Sequence, residues 1–349
     1  MQSYNTSYKF NKRKHMSILA IDLGGTKITG TIFDNEGLMS VKLTYLLDGR
    51  SGKEVGKLIR SIIDELAASS TQGLSEVQTI GICVPGIANV KTGKVWAPNI
   101  PEWEDYPLYE EISTHVNNPS IIINIASDRT CYILGEIWKG EAKGCKDAIF
   151  IAVGTGIGAG IMIDGQVLHG YSDIVGASGW MALHTPFLNE YKQYGCFESH
   201  ASGNGIAMQV KKLLQSTSFE NSILRQQPVE NITTRDVFTA YEQQDELAVK
   251  VVDEAIALWG MAAANLVSLL NPEIIVWGGG VFGPASKYID LIYNEACKWA
   301  QPISIKQVRF VKSSLTGDAG LLGAGYLAWL SLPPLPKGGE KSPSGDLVV

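Results

Sequence analysis

The sequence predicts an α/β protein built as two lobes that face one cleft. Length is the first observation: 349 residues, 45% of them apolar and 18% charged, exceed one ordinary core and suit two lobes of roughly 100–200 residues each. The second is duplication, because the latter half reopens with the strand, glycine-rich turn and strand that begin the former. The third is that apolar runs at strand and helix periods recur through both halves.

Residues 1–16 are polar and are expected to form a loose tail, so the first lobe is expected over 17–133. Ile18–Ile21 is strand-like, Asp22-Leu23-Gly24-Gly25-Thr26-Lys27 supplies a glycine turn, and Thr29–Phe33 returns as a hairpin. Asp34-Asn35-Glu36-Gly37 has turn composition and leads into a third strand over Leu38–Leu46. Val55, Leu58, Ile59, Ile62, Ile63 and Leu66 fall at helical spacing within 52–68. Thr79–Val84 is the next strand, ended by Pro85-Gly86. A loop rich in Pro and Trp, Trp96 to Pro107, precedes a helix over Leu108–Val116. The apolar strand Ile121–Ile125 runs into Asp128, and a helix follows over Arg129–Trp138.

The second lobe, expected over 134–317, repeats the plan. Ala148–Val153 is a strand ending in Gly154-Thr155-Gly156-Ile157-Gly158-Ala159-Gly160. Ile161-Met162-Ile163 pairs with it, and Asp164-Gly165 turns the chain into Val167-Leu168. A long apolar helix covers 246–270, Glu273–Trp277 is a strand closed by Gly278-Gly279-Gly280, and Val308–Val311 is a last short strand. The final helix, Ala319–Leu330, is expected to complete the first lobe over about 318–331, leaving a disordered tail of Pro, Gly, Lys and Ser over 332–349.

The bulk numbers exclude several classes. A net charge of -6 argues against nucleic acid, whose phosphates demand concentrated Lys and Arg, and Lys12-Arg13-Lys14 reads as part of a solvated tail. Five widely spaced cysteines without a CxxC pair suit a reduced, cytoplasmic protein rather than a disulfide framework. The first residues lack the apolar stretch of a secretory signal, and no apolar run reaches the roughly 20 residues needed to span a bilayer.

The glycine clusters carry the chemistry. Adjacent Gly24 and Gly25 let backbone N–H groups close around an anion, with the Thr26 hydroxyl and the Lys27 charge beside them and Asp22 placed to hold a magnesium-bound water. A plain hairpin turn would account for this pair equally well on its own. Gly154-Thr155-Gly156-Ile157-Gly158 is not a dinucleotide fingerprint, because a strand rather than a helix follows it. No GxxxxGK[ST] run exists either, so this is not a P-loop enzyme. Three such clusters in a duplicated frame, Gly278-Gly279-Gly280 being the third, are what a phosphate clamp needs.

In order and content these pieces resemble the ROK family of sugar kinases and sugar-responsive repressors, within the actin-like ATPase superfamily of duplicated ribonuclease H-like domains. The resemblance runs from about Ile18 to Leu330. It rests on Ile21-Asp22-Leu-Gly-Gly-Thr-Lys27, Gly81-x-x-Val-Pro-Gly86, Ala97-Pro98-Asn99 and Gly154-Thr-Gly-Ile-Gly158 with Asp164-Gly165. Gly195-Cys-Phe-Glu198-x-x-Ala-Ser-Gly203, Asn271-Pro272 with Gly278-Gly279, and Asp318-Ala-Gly-Leu-Leu-Gly323-Ala complete it.

That resemblance implies ATP and Mg²⁺ in a cleft between lobes that close on a sugar-like acceptor. Asp22, Gly24, Gly25, Thr26 and Lys27 would face the phosphates, Gly154, Thr155 and Gly156 would hold them from the other lobe, and Gly279 and Gly280 would lie near the adenosine. The family's catalytic aspartate, counted back from Gly135-Glu136, is Asp128, which with Asp22 would also hold Mg²⁺ through water. A hydroxyl needs a carboxylate to take its proton as it attacks, a contribution of about 10²–10⁴-fold. Asp128 would also suit a helix N-cap, and the two roles are compatible. Acceptor contacts are implied at Pro85, Gly86, Asn99, Ser127, Asp128, Ala177, Trp180 and Glu198. A homodimer is implied as well.

Departures from the pattern gather around the acceptor. Ser127 replaces the Asn that usually precedes the base, and Gly176-Ala177-Ser178-Gly179-Trp180 replaces Gly-Glu-x-Gly-His. The family's zinc cysteines become Asn189, Tyr191 and Cys196, and its zinc histidine becomes Trp180, so one ligand of four remains and zinc is not expected. His184 and His200 are read as ordinary surface or core residues. Trp96 and Trp180 are candidates to line the pocket, whereas Trp103 is expected to anchor the core. The acceptor is then expected to be an amino or deoxy sugar or a C7 cyclitol rather than glucose or N-acetylmannosamine. A repressor would carry a helix-turn-helix domain, for which the roughly seventeen residues before the first strand are too few. A catalytically silent sugar-binding protein is the alternative.

Overall fold

The computed structural model describes residues 17–34, 36–69 and 77–332; the expected N-terminal tail and nearly all of the expected C-terminal one lie outside them. In chain order the first half gives β1 (Ser17–Leu23), β2 (Lys27–Phe33), β3 (Met39–Leu46), α1 (Gly52–Ser69), β4 (Val77–Val84), β5 (Ile87–Ala88), β6 (Val95–Trp96), α2 (Leu108–Val116), β7 (Ile122–Ser127) and α3 (Asp128–Lys139). The second half gives β8 (Ala148–Val153), β9 (Ile157–Ile163), β10 (Gln166–Val167), α4 (Tyr191–Tyr194), α5 (Cys196–Ala201), α6 (Gly203–Leu214), α7 (Thr234–Glu242), α8 (Glu246–Leu270), β11 (Ile274–Gly278), α9 (Ile289–Trp299), β12 (Arg309–Lys312) and α10 (Ala319–Leu330).

The duplication is visible in the sheets. One runs β3-β2-β1-β4-β7 and the other β10-β9-β8-β11-β12. In both, the first strand pairs antiparallel with the second and parallel with the strand on its other side. Strands in both central positions read as near-continuous apolar runs because helices cover both faces. Two large cores result. One gathers Leu19, Ile21, Ile59, Ile62 and Ile80, and the other Ile149, Val252, Trp259, Ile275 and Trp277.

Helix α10 leaves the second half and packs against α3, β1 and β4. Small residues make that approach feasible: a Cβ on Gly323 would lie 1.7 Å from the Cys131 carbonyl oxygen, and one on Gly81 would lie 1.9 Å from that of Ala324. The long helix α8 starts at Asp245, whose carboxylate accepts from Leu247 N and Ala248 N, and stops at Asn271 in the left-handed region.

Helices α2, α8 and α10 keep the bounds their apolar spacing predicts. The segment 169–245 carries no element in the sequence reading, yet it holds α4 to α7. Two of them are capped by side chains, α6 by Ser202 at Gly205 N and α7 by Thr233 with Asp236, while α4 and α5 are not, and short runs give periodicity little to act on. The loop Trp96 to Pro107 also begins with a two-strand ribbon, β5 with β6. All five cysteines are free thiols, and no described helix is long and apolar enough to cross a membrane.

Candidate active site

Within each sheet the parallel strands β1, β4 and β7, or β8 and β11, end at one edge, where open α/β sheets bind ligands. β1 ends at Asp22 and Leu23, β4 at Pro85-Gly86, β7 at Ser127-Asp128, β8 at Gly154 and β11 at Gly278-Gly279.

At the glycine turns the backbone sets the shape. Gly24 N donates to the Lys27 carbonyl at 2.9 Å, closing the first turn, and Gly25 leaves room for Asn99, whose Cβ would be 3.4 Å from a Cβ there. In the second turn Gly154 N donates to the Gly156 carbonyl at 2.9 Å, and Gly203 N at the start of α6 donates to the Gly154 carbonyl at 2.8 Å. Gly279, at φ 88°, lies against Val153, so the third glycine cluster borders the second; a Cβ on it would fall 2.4 Å from the Val153 carbonyl oxygen. Gly154 and Gly280 face open space. These open cradles suit a polyphosphate. Thr26, Lys27 and Gly25 are exposed at the mouth.

Two carboxylates stand at the floor. Asp22 is half-buried; desolvation raises its pKa, opposed by a hydrogen bond with Cys83 and by Lys27. The start of α10 abuts it, for a Cβ on Gly320 would be 2.7 Å from its carboxylate oxygens. Asp128 has its pKa pushed up to about 6, chiefly by burial, with Arg129 acting in the opposite direction. Its Oδ1 accepts from Arg129 N at 2.8 Å. The helix cap falls to Ser127 rather than Asp128: Ser127 Oγ accepts from Thr130 N at 3.3 Å, and Asp128 is the first helical residue. Ser127 is buried and also bonds Thr130 Oγ1, so its hydroxyl is already engaged.

The remaining expected acceptor residues divide. The Pro85-Gly86 turn seats on Trp96–Pro98, since a Cβ on Gly86 would lie 2.2 Å from the Trp96 carbonyl oxygen, and this fixes Asn99 beside the first glycine turn. Glu198 is turned toward the second one: its Oε2 accepts from Ile157 N at 2.7 Å, and burial raises its pKa against that bond. Ala177 is half-buried, and Trp180 is 56% exposed. Trp103 anchors the core, donating to the Gly52 carbonyl at 3.0 Å and stacking on Tyr106, whereas Trp96 is exposed.

Arg129, Cys83 and Ser178 are absent from the sequence reading of the site. A charged residue in the first turn of α3, beside the expected base, was a usable signal for Arg129. Nothing in the pattern marks Cys83, an apolar strand position, or Ser178, whose buried hydroxyl has no partner among the described residues.

The zinc ligand set of the family does not fit. Tyr191 stands at a cysteine position and bonds His184 Nδ1 at 3.2 Å and His200 Nε2 at 2.7 Å, so His200 is a buried, partnered residue and not a surface one. Glu254 Oε1 lies 3.1 Å from His200 Nδ1, and the donor atoms of His184, His200 and Glu254 fall within 4.8 Å of one another. Three donors with a phenol between two of them fall short of the four a closed zinc site takes.

Comparison with known proteins bears on the family and the fold. A glucokinase of Halalkalibacterium halodurans is 31% identical over 332 residues, covering 92% of this chain and 98% of its own. The ROK hexokinase of Thermus thermophilus superposes with a TM-score of 0.72 at 25% identity, over 90% of this chain and 98% of that one. A ROK glucokinase of Streptomyces griseus, solved with glucose and AMPPNP, gives 0.68 at 26% identity, over 90% of this chain and all of its own, 100%. The fold is the two-lobed actin-like ATPase fold of these kinases. The ROK family model matches residues 18–330, and the chain belongs to the ROK family.

Proposed function

We propose that the protein is a sugar kinase that transfers the γ-phosphate of ATP to a hydroxyl of a sugar-like acceptor, with Asp128 as the general base. The observation that carries the reading is a desolvated carboxylate, raised to about 6, free of the helix cap and placed at the strand ends beside three glycine clusters. Asp128 takes the hydroxyl proton, the glycine turns of both halves hold the polyphosphate, and Asn99 and Glu198 stand near those turns to orient acceptor hydroxyls. Mg²⁺, held through water by Asp22 and Asp128, would neutralise charge on the transferring group. The loss of a carboxylate at Ala177 and the exposed Trp180 point away from glucose toward a non-standard hexose, an amino or deoxy sugar, or a C7 cyclitol. A cytoplasmic homodimer belongs to the same reading, and light scattering at twice the chain mass would support the dimer.

The test is ADP release with Mg²⁺-ATP across hexoses, amino sugars, deoxy sugars and cyclitols, run beside Asp128→Asn. Turnover on one of them, lost in the variant, supports the kinase. ATP binding with no turnover on any would instead support a sugar-binding regulator, a reading the altered 176–180 turn favours.

A further inference from the structure

Arg129 makes no salt bridge among the described residues, and it lies at the proposed acceptor end of the cleft. Its guanidinium is half-buried, and its one hydrogen bond among the described residues runs from Nη2 to the Gly86 carbonyl at 3.3 Å. No described carboxylate oxygen lies within 4.0 Å of it, the adjacent Asp128 included, although that carboxylate acts on it at longer range. Asp128 Oδ1 is instead turned to the backbone N–H of Arg129. A guanidinium offers five donors in a planar fork, and leaving such a group half-desolvated and unpaired is costly.

The surroundings place this cation where an acceptor would sit. Its side chain reaches from α3 to the Pro85-Gly86 turn of the first sheet. Its stem lies over β9 of the second, because a Cβ on Gly158 would be 2.9 Å from Arg129 Cδ. The Gly176–Trp180 turn is bonded to the same stretch, Ala159 N donating to the Gly176 carbonyl at 2.8 Å. In that turn Ala177 supplies no carboxylate, and the buried Ser178 hydroxyl lacks a partner. Neither Glu198 nor Asp173 forms an ion pair with it: Glu198 Oε2 accepts from Ile157 N, and Asp173 accepts from Val90 N at 3.1 Å and lies 3.5 Å from His169.

We infer that Arg129 is a specificity-determining residue that binds an oxyanion of the acceptor, so the substrate is a polyol carrying a carboxylate or a phosphate. The planar fork matches both groups in bidentate fashion, and a charge-assisted pair of this kind is worth about 10–100-fold in discrimination. An acceptor bearing an ammonium group would meet repulsion at the same place, which narrows the acceptor classes proposed above by removing the free amino sugars.

For catalysis the inference rests on the kinase reading, so the experiment has a turnover arm and a binding arm. Full-length protein is assayed for ADP release with glucose, glucosamine, gluconate, glucuronate, glucose 1-phosphate and glucose 6-phosphate, which put the anion at either end of the sugar. Wild type should favour at least one acidic probe over glucose by about 10–100-fold in kcat/KM. Arg129→Ala should remove most of that preference through KM, and Arg129→Lys, which keeps the charge but not the fork, should restore part of it. Preference for the carboxylates or for the phosphates identifies the oxyanion. Equal losses on neutral and acidic acceptors, or no acidic preference in wild type, would overturn the inference in favour of a strut between the two sheets. If nothing turns over on these probes or on the wider panel of hexoses, amino sugars, deoxy sugars and cyclitols, the kinase reading fails and thermal shift decides the inference. Acidic probes should raise the melting temperature of wild type more than glucose does, and this excess should vanish in a folded Arg129→Ala. Its absence from wild type counts against the oxyanion site.

Discussion

The Gly154–Gly156 turn and the 176–200 segment that packs against it differ in what fixes their shape. The turn is held by backbone: its own N–H to carbonyl bond, the N–H of Gly203 from α6, and the close approach of Gly279. The segment shares such backbone contacts at Gly176 and Gly195 but adds side-chain braces that the turn lacks, the Tyr191 hydroxyl between His184 and His200 with Glu254 beyond, and Glu198 reaching back to Ile157 N. A backbone device needs glycine and tolerates little else, whereas a side-chain device can be rebuilt from other residues at the same place. On the proposed kinase reading, one cleft can therefore keep its phosphate side while its acceptor side changes.

The largest expected effect falls on Asp128, the proposed base. Asp128→Asn should lower kcat by about 10²–10⁴-fold. In wild type kcat/KM should fall about tenfold per pH unit below pH 6, because the base works ionised and its pKa stands at about 6. Stability should move the other way. The folded-state pKa lies above the ordinary carboxylate value, so protonation favours the fold. That contribution is fully present at pH below the unfolded pKa and is lost as pH rises through about 6. Above that, wild type carries a desolvated charge that Asn lacks. The variant should melt a few degrees higher at pH 7–8, a gain of about 1–2 kcal/mol after allowance for partial exposure, with the difference closing toward pH 4. Loss of activity with lowered stability at pH 8 would mean that Asp128 is a structural residue.

A pair of glycines sharpens the contrast between backbone and side chain. Gly279→Ala puts a Cβ into the Val153 backbone at φ 88° and should cost about 1–3 kcal/mol from backbone strain alone, read as a drop in melting temperature. Gly154→Ala meets nothing within 4 Å and should leave the melting temperature nearly unchanged. Its methyl group enters the cradle instead, so the KM for ATP should rise about tenfold. Equal effects of the two on melting would remove the distinction between a glycine needed by the fold and one needed by the ligand.

The same distinction governs what was legible in the sequence. Strand-turn-strand repeats and glycine clusters are local, so Asp22, Gly24, Gly154 and Gly279 could be placed at strand ends by pattern alone. Asp128 was reached through the family resemblance, by counting back from Gly135-Glu136, with an apolar strand running toward it as local support. Ser127 as cap and Cys83 as partner of Asp22 were not, since either role depends on where a single rotamer points. Arg129 and Glu198 show the limit most clearly. Both are charged residues within motifs, but whether each meets a carbonyl, an amide or solvent depends on elements far away in sequence: Gly86 for one, Ile157 for the other.

The smallest expected effect is a null, and it tests the side-chain half of the comparison. If Tyr191, His200 and Glu254 replace a metal as the brace of this segment, the purified chain should carry less than about 0.1 zinc per molecule by elemental analysis, and EDTA should not move its melting temperature. The brace would then reside in hydrogen bonds, and Tyr191→Phe, which removes the hydroxyl from both imidazoles while keeping the ring, should lower stability by about 1–3 kcal/mol. Stoichiometric zinc, lost with a fall in melting temperature on chelation, would reverse the assignment. His184, His200 and Glu254, whose donor atoms already lie within 4.8 Å of one another, would then be ligands, and Tyr191→Phe would cost little. The two outcomes predict opposite rankings of chelation and hydroxyl loss, so one pair of melting curves separates a segment braced by metal from one braced by a phenol.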